Sequence, residues 1–185
     1  MDSDLTLDFI IIIVLIIANG LFSMTELAIV NAKKRKLEEL AEAGNERAKK
    51  AFELAENPND MFSTIQIGIT LVGILTGLYS GATFSGPLEE ILTANIPSIE
   101  PYAASVSSFL IVAIITYLSL VIGELVPKRL ALNSPEGIAV VVAKPIYWLS
   151  VALKPIVSFL GISTEFLLKI LGVTVKEEAP VTESE

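Results

Sequence analysis

Three stretches of the chain carry no charged residue over a length that can cross a lipid bilayer. They cover residues 9–25, 61–88 and 101–123. A helix needs about 20 apolar residues to cross the ~30 Å hydrocarbon core of a membrane, and no soluble helix needs such a long uncharged run. The pattern predicts an all-α integral membrane protein with three transmembrane helices, at about residues 7–30, 61–83 and 101–126.

The charged residues between these stretches predict the sides of the membrane. Most of the basic residues fall in the first connection, at Lys33, Lys34, Arg35, Lys36, Arg47, Lys49 and Lys50. The second connection, 84–100, contains acidic residues but no Lys or Arg, and Lys128 and Arg129 follow the third stretch. Because basic loops stay in the cytoplasm, we expect an N-terminus outside, a cytoplasmic C-terminus, and a location in the cell membrane.

Two further segments are predicted to be helices at the cytoplasmic membrane surface. Residues 32–57 are rich in Ala, Leu, Glu and Lys, with a break at Gly44-Asn45. Residues 135–172 are apolar, but Lys144-Pro145 and Lys154-Pro155 interrupt them, and proline breaks helices. We expect two short interfacial helices there, the alternative being a fourth span. Residues 1–174 thus form a transmembrane domain, and residues 175–185 a polar linker.

Composition limits the chemistry that the chain can perform. The mean hydropathy is +0.67 and the net charge is −8, which argues against a basic nucleic-acid-binding protein. The chain has no Cys, which excludes a thiolate metal site. It also has no His, so any bound metal must be a hard cation held by oxygen. Acidic residues near the start, among them Asp4 and Asp8, argue against a cleaved signal peptide.

Polar residues inside the predicted spans are candidate functional residues, because they are costly in hydrocarbon. In the first span, Asn19-Gly20 is expected to weaken the helix and free carbonyl groups, and three polar residues follow: Ser23, Thr25 and Glu26. Glu26 is either functional or an interfacial carboxylate paired with a lysine.

In the second span, Gln66 and Thr70 share a helix face and are expected to turn inward. Gly73, Gly77 and Gly81 follow the G-x-x-x-G spacing, which is typical of close helix packing.

The third span ends in a combination of residues that suits a small hard cation. Gly123 loosens the backbone beside Glu124, and Pro127 interrupts the hydrogen bonding of the preceding turn. The alternative is an ion pair between Glu124 and Lys128. For Mg²⁺ we expect ligands from Glu124, Ser23 and Thr70, with carbonyl groups near Gly20 and Gly123 and a possible second charge from Glu26.

Four ordered motifs resemble one known family. They read N-G-L-F-S-M-T-E-L-A, A-x-A-G-N-x-R-A-K, T-I-Q-I-G-I-T-L-V-G-I-L and G-E-L-V-P-K, and together they cover most of the chain. They resemble the transmembrane domain of the CorC/CNNM family, the cyclin M-like magnesium transporters.

The resemblance implies a homodimer of three-span subunits with an acidic inward-facing cavity, and Mg²⁺ export driven by inward Na⁺. It implies ion-site roles for Ser23 and Glu124, with Thr25, Glu26, Gly123 and Lys128 as their neighbours. Family members also carry cytoplasmic CBS domains, which bind ATP, and a transporter-associated domain. Because neither is in this sequence, we expect a piece of a longer protein.

The second-span motif departs from the family pattern. Many members have asparagines where this chain has Ile69 and Gly73, and those amides help to hold the ion. Either Thr70 and Gln66 replace them, or the site uses more water, or it carries a different ion.

Two other function classes compete with transport. The first is a cation-sensing membrane scaffold that signals to cytoplasmic regulatory domains without transport. The second, an intramembrane enzyme, is poorly supported, because the chain has no His, no Cys, no nucleophile motif and no paired aspartates in its spans. We expect no enzymatic activity.

Overall fold

A computed structural model describes residues 2–172, and this part of the chain is entirely helical apart from short connections. The predicted linker, 175–185, lies outside the described residues. The α-helices in chain order are α1 Asp2–Asn31, α2 Lys34–Glu42, α3 Glu46–Glu56, α4 Asn59–Asn95, α5 Ala103–Leu120, α6 Val126–Asn133 and α7 Pro135–Ile170. A 3₁₀-helix, Pro97–Tyr102, precedes α5, and a π-helical turn, Val121–Leu125, joins α5 to α6. The all-α membrane architecture predicted from the sequence is confirmed.

Four helical segments within residues 2–172 are long and apolar enough to cross a membrane, where the sequence pattern predicts three. They are Leu5–Asn31, Asn59–Asn95, Pro97–Asn133 and Pro135–Ile170. Large apolar side chains cover their outer surfaces, including Leu78 and Phe109, which are 68% and 71% exposed. In water such a surface would be unfavourable, whereas hydrocarbon solvates it without penalty.

The connection between α1 and α4 forms the predicted pair of short helices. Gly44 ends α2 with a φ of +92°, a conformation that favours glycine. Asn45 then begins α3, and its side-chain oxygen accepts hydrogen bonds from the backbone N–H groups of Arg47 and Ala48 at 3.0 and 3.1 Å. Such a cap satisfies two of the N–H groups that the first turn of a helix leaves free. The predicted break at Gly44-Asn45 is confirmed.

The main core lies where α1 ends and α4 begins, and it joins these two helices to α2, α3 and α7. Its members are buried apolar residues, namely Ile29, Ala32, Leu37, Ala51, Leu54, Ala55, Met61, Ile65, Ala139, Ala143 and Ile146. The many alanines allow the helix backbones to approach closely. This core fixes the start of α7 against the α2–α3 pair.

A polar contact outside this core also joins α3 to α7. The Lys50 ammonium lies 2.6 Å from Glu53 Oε2 and 4.2 Å from the centre of the Tyr147 ring. The hydrogen bond to Glu53 raises the pKa of Lys50, and the negative charge of Glu53 adds to this effect. Lys50 therefore stays protonated at neutral pH and holds both partners.

The expectation that prolines divide residues 135–172 into two short helices is wrong. Helix α7 runs unbroken from Pro135 to Ile170, with Pro145 and Pro155 inside it. Each proline removes one backbone hydrogen bond, at about 3 kcal/mol in an exposed helix. The buried contacts of Ala139, Ala143 and Ile146 favour continuation of the helix, and apolar surroundings favour internal hydrogen bonding of the remaining backbone groups.

Helices α1 and α4 pack side by side in opposite directions, and two contacts fix their register. Near one end, the Tyr79 hydroxyl donates a hydrogen bond to the Asp8 carboxylate. Near the middle, the Phe22 ring covers Gly68, where an added Cβ would lie 2.7 Å from the ring. The face of α4 turned towards α1 therefore contains Gly68 and Tyr79.

Candidate functional site

The candidate site lies where the middle of α1 meets the π-helical turn after α5. Asn19 of α1 donates a hydrogen bond from Nδ2 to the carbonyl oxygen of Gly123 at 3.1 Å. Gly20, next to it, lies against Pro127 and the carbonyl of Ile122. The structure thus brings together the two glycine motifs that the sequence analysis placed in different spans.

The approach of the two segments requires glycine on both sides. A Cβ added to Gly20 would lie 2.9 Å from Pro127 Cγ and 3.2 Å from the Ile122 oxygen. A Cβ added to Gly123 would lie 3.1 Å from the Ile16 oxygen. The expectation that Asn19-Gly20 weakens the first span is wrong, because α1 is continuous from Asp2 to Asn31. The pair instead provides a contact surface and a hydrogen bond.

The π-helical turn gives Glu124 an unusual backbone setting. The N–H of Val126 donates to the Val121 carbonyl, five residues back instead of four. Such single turns widen a helix locally and occur often at functional sites. Pro127 follows the turn at the start of α6 and has no N–H to donate to the carbonyl groups of the preceding helical turn. The prediction of an irregular backbone around Gly123 and Pro127 is confirmed.

Two buried oxygen atoms on α1 have no hydrogen-bond partner among the described residues. They are Asn19 Oδ1 and Ser23 Oγ, and Ser23 is only 1% exposed. Residues four apart on a helix lie one turn apart on the same face. Thr25 differs, because its buried hydroxyl donates to the Leu21 carbonyl at 2.7 Å. Of the hydroxyls predicted for this span, Ser23 is the one left free to take a ligand.

The carboxylate of Glu124 forms an ion pair with Lys128. Lys128 Nζ lies 2.7 Å from Glu124 Oε1, and the two side chains are 35% and 40% exposed, respectively. The pairing that the sequence analysis gave as an alternative is therefore present in the structure. Glu26 is half-buried and forms no ion pair within residues 2–172, so the predicted lysine partner is not found for it.

The structure places Gln66 and Thr70 away from the face of α4 that contacts α1. Each is two residues from Gly68 and therefore about 200° round the helix from it. Both are exposed, and they line an open groove of about 720 Å³ between α4 and α7. Thr164 and Glu165 line the other side of this groove. Gln66 and Thr70 are therefore on a different surface from Ser23.

No other helix of the described chain covers the Cβ positions of the three glycines on α4 with G-x-x-x-G spacing. A Cβ added to Gly73, Gly77 or Gly81 would meet no atom within 4 Å. The expected close packing at these glycines is therefore not found within residues 2–172. On α4 the closely packed glycine is Gly68. Its partner Phe22 could not be predicted, because contact partners on different helices leave no local sequence signal.

The groups that this region offers are oxygen ligands, and its one carboxylate, Glu124, is next in sequence to the Gly123 carbonyl to which Asn19 donates. An amide oxygen and a hydroxyl come from α1, while Glu124 and the Gly123 backbone come from the π-helical turn. No group of three or more acidic side chains that could hold a metal ion occurs in the part of the chain described. Such a set suits a hard cation that is bound weakly and released.

Comparison with known proteins shows the family. The family model for the cyclin M transmembrane N-terminal domain matches residues 10–185. "UPF0053 protein sll0260" of Synechocystis is 50% identical over 99% of this chain and 41% of that protein. "UPF0053 protein YugS" of Bacillus subtilis is 33% identical over 98% of this chain and 42% of that protein.

A relative whose name states a function is less similar in sequence to this chain. "Polyamine export protein" of Escherichia coli is 28% identical over 93% of this chain and 38% of that protein. The chain spans about two fifths of the length of the curated relatives that it matches. It belongs to the cyclin M (CNNM) family and contains the transmembrane N-terminal domain of that family.

Proposed function

We propose that this domain transports a divalent cation through a site formed by Asn19, Ser23 and Glu124, and Mg²⁺ is the first candidate. The observation that carries the proposal is the pair of unpartnered buried oxygens one turn apart on α1. A buried polar group without a partner costs about 1–3 kcal/mol, and native proteins keep few of them. A cation bound at these oxygens supplies the missing partner.

The geometry of the π-helical turn supports the same site. Asn19 already holds the Gly123 carbonyl, so a ligand at Asn19 Oδ1 lies close to the backbone that carries Glu124. A single carboxylate with neutral oxygens gives moderate affinity, which suits a cargo that must be released. Thr25 and Glu26 follow on the same helix and are candidate neighbours of the path.

Export coupled to inward Na⁺ is part of the proposal, as are a homodimer and a cell-membrane location with the basic α2–α3 pair in the cytoplasm. Family membership supports them, as do the charges of the connections. The exposed glycines of α4 are a surface on which a second copy can pack closely. Regulatory cytoplasmic domains are the partners we propose for a longer form of the protein.

An organic polycation is the second candidate cargo. Relatives at 27–28% identity are named polyamine export proteins. The structure favours this candidate in one respect, because the Glu124 carboxylate accepts a primary ammonium group, that of Lys128. Polyamines present the same chemical group.

The test is cation flux in liposomes that contain the purified protein and a trapped Mg²⁺ indicator. We expect saturable Mg²⁺ flux that a Na⁺ gradient accelerates and that Glu124→Gln abolishes. Glu165→Gln is the matched control, because Glu165 lies in the separate α4–α7 groove. Its flux should equal that of the wild type.

Three results would count against the proposal. Mg²⁺ binding without flux would favour a cation-sensing membrane protein. Spermidine flux without Mg²⁺ flux would favour the polyamine. Equal loss of flux in the Glu124 and Glu165 variants would remove the site assignment.

A further inference from the structure

The ion pair at Glu124 puts a positively charged group of the protein on the carboxylate proposed to bind the cargo. Lys128 Nζ lies 2.7 Å from Glu124 Oε1, within hydrogen-bond distance, and the two residues are one helical turn apart. The side chains of Lys128 and Glu124 are 35% and 40% exposed. A half-buried carboxylate without a counter-charge is unfavourable, so Lys128 neutralises Glu124 when no cargo is bound.

An ammonium group and a metal cation on the same carboxylate repel each other, so each weakens the binding of the other. Binding of a cation to the Glu124 carboxylate therefore favours release of Lys128. A lysine side chain has a flexible four-carbon stem and keeps its charge when it turns away into water or towards lipid headgroups. The Lys128 side chain is 35% exposed, so the rest of the described chain does not enclose it.

We propose that Lys128 is a built-in competitor of the transported cation. This inference rests on the proposed role of Glu124 in cargo binding. In the empty protein the Lys128 ammonium occupies the Glu124 carboxylate, and the incoming cation displaces it. After release of the cation, Lys128 returns to Glu124. The competition lowers the affinity of the site and helps to expel the cargo, and Lys128 is in this sense a residue that tunes affinity.

Lys128 competes strongly for the Glu124 carboxylate, although the ion pair itself is weak, because both residues are on the same helix. A group held on the same helix has an effective concentration in the millimolar range or above. A free alkylammonium ion at lower concentration therefore cannot compete in the wild type. Once Lys128 is removed, the same carboxylate becomes available to it.

The experiment is calorimetric titration of Mg²⁺ into the purified protein in detergent. Lys128→Met should tighten Mg²⁺ binding by about threefold or more, since even a partly exposed one-turn ion pair contributes measurably. Lys128→Arg keeps the charge and the pairing, so the Mg²⁺ affinity of this variant should stay near that of the wild type. Arg129→Met removes the adjacent exposed charge and should change the affinity less than Lys128→Met.

Methylammonium provides the second readout. It should weaken Mg²⁺ binding in Lys128→Met at concentrations that leave the wild type unaffected, because it refills the vacated position. Lys128→Gln serves as a second removal variant should the methionine variant fold poorly, and circular dichroism checks the fold of each.

The outcomes separate this inference from the proposed function. Unchanged or weaker Mg²⁺ binding in folded Lys128→Met and Lys128→Gln would overturn the competitor role, provided that Glu124→Gln abolishes binding in the same assay. Binding that survives Glu124→Gln would overturn the proposed site itself. Equal tightening in Lys128→Met and Arg129→Met would show a general effect of charge and would also overturn the competitor role.

Discussion

Two serines illustrate how a single hydroxyl group can be placed for structure or for binding. Ser107 is fully buried, and its hydroxyl donates to the Ala104 carbonyl at 3.1 Å. Ser23 is almost as deeply buried, yet its hydroxyl has no partner among the described residues. A satisfied buried hydrogen bond adds about 1 kcal/mol to stability, whereas an unsatisfied group subtracts from it. Replacement by alanine should therefore lower the stability of the protein at Ser107 but not at Ser23.

Ser23→Ala should leave the stability of the cargo-free protein unchanged or raise it by up to about 1 kcal/mol, because an unsatisfied hydroxyl is removed. The same change should weaken Mg²⁺ binding. Thermal unfolding in detergent with and without Mg²⁺ measures both effects, and Ser107→Ala is the matched control that should lower stability without changing the binding. A loss of stability in Ser23→Ala with unchanged binding would mean that Ser23 is structural.

The glycines show which helix contacts the sequence could and could not predict. Their G-x-x-x-G spacing on α4 suggested packing at Gly73 and Gly77, but these positions are open within the described chain. The close contacts occur at Gly20 and Gly68 instead. Spacing fixes which residues share a face of a helix, but the direction of that face depends on packing between helices distant in sequence.

Gly20→Ala should destabilise the protein by about 1–3 kcal/mol, because the added Cβ would press on Pro127 and push α1 away from the π-helical turn. Gly161→Ala in α7 is the control, and it should be neutral or slightly stabilising because an added Cβ there meets no atom within 4 Å and alanine favours a helix by about 0.5–1 kcal/mol over glycine. Thermal unfolding in detergent ranks the two variants. Equal destabilisation of the two variants would mean that the close contact at Gly20 is not the cause of the effect.

For whole helices and for the site, too, the sequence predicts local properties but not contacts between helices. Uncharged runs predicted the apolar helices well, because exclusion of charge from hydrocarbon is a local property of the sequence. Continuity of α7 through Pro145 and Pro155 was missed, because it depends on contacts with α1, α3 and α4. For the site, Glu124 and Ser23 were identified as polar residues in apolar surroundings, whereas the free oxygen of Asn19 required the structure.

The direction of α7 relative to the other helices bears on the architecture of the whole molecule. Residues 141–149 of α7 share a groove with residues 18–25 of α1, and residues 157–168 share one with residues 63–74 of α4. The contact between Phe22 and Gly68 places these parts of α1 and α4 at the same depth. Residues 141–168 extend ~40 Å along α7, whereas the facing segments of α1 and α4 extend only ~10–17 Å. Helix α7 therefore lies obliquely across α1 and α4.

Charge along α7 supports an oblique position near the cytoplasmic surface. Lys144, Lys154 and Glu165 recur along the helix, so no part of it matches the uncharged runs of the first three spans. Charged residues at these intervals reach the membrane surface most easily from a helix that stays near it. We therefore expect both ends of α7 on the same side of the membrane, although its length would allow it to cross.

Single cysteines can test this topology, because the chain has no cysteine of its own. Lys169→Cys, at the exposed end of α7, should react with a membrane-impermeant maleimide from the same side as Arg47→Cys in α3. Ser98→Cys, in the connection before α5, should react from the opposite side. Labelling in sealed vesicles before and after permeabilisation distinguishes the sides. Reaction of Lys169→Cys from the side of Ser98→Cys would mean that α7 crosses the membrane as a fourth span, which would place the following residues outside and overturn the cytoplasmic position expected for them.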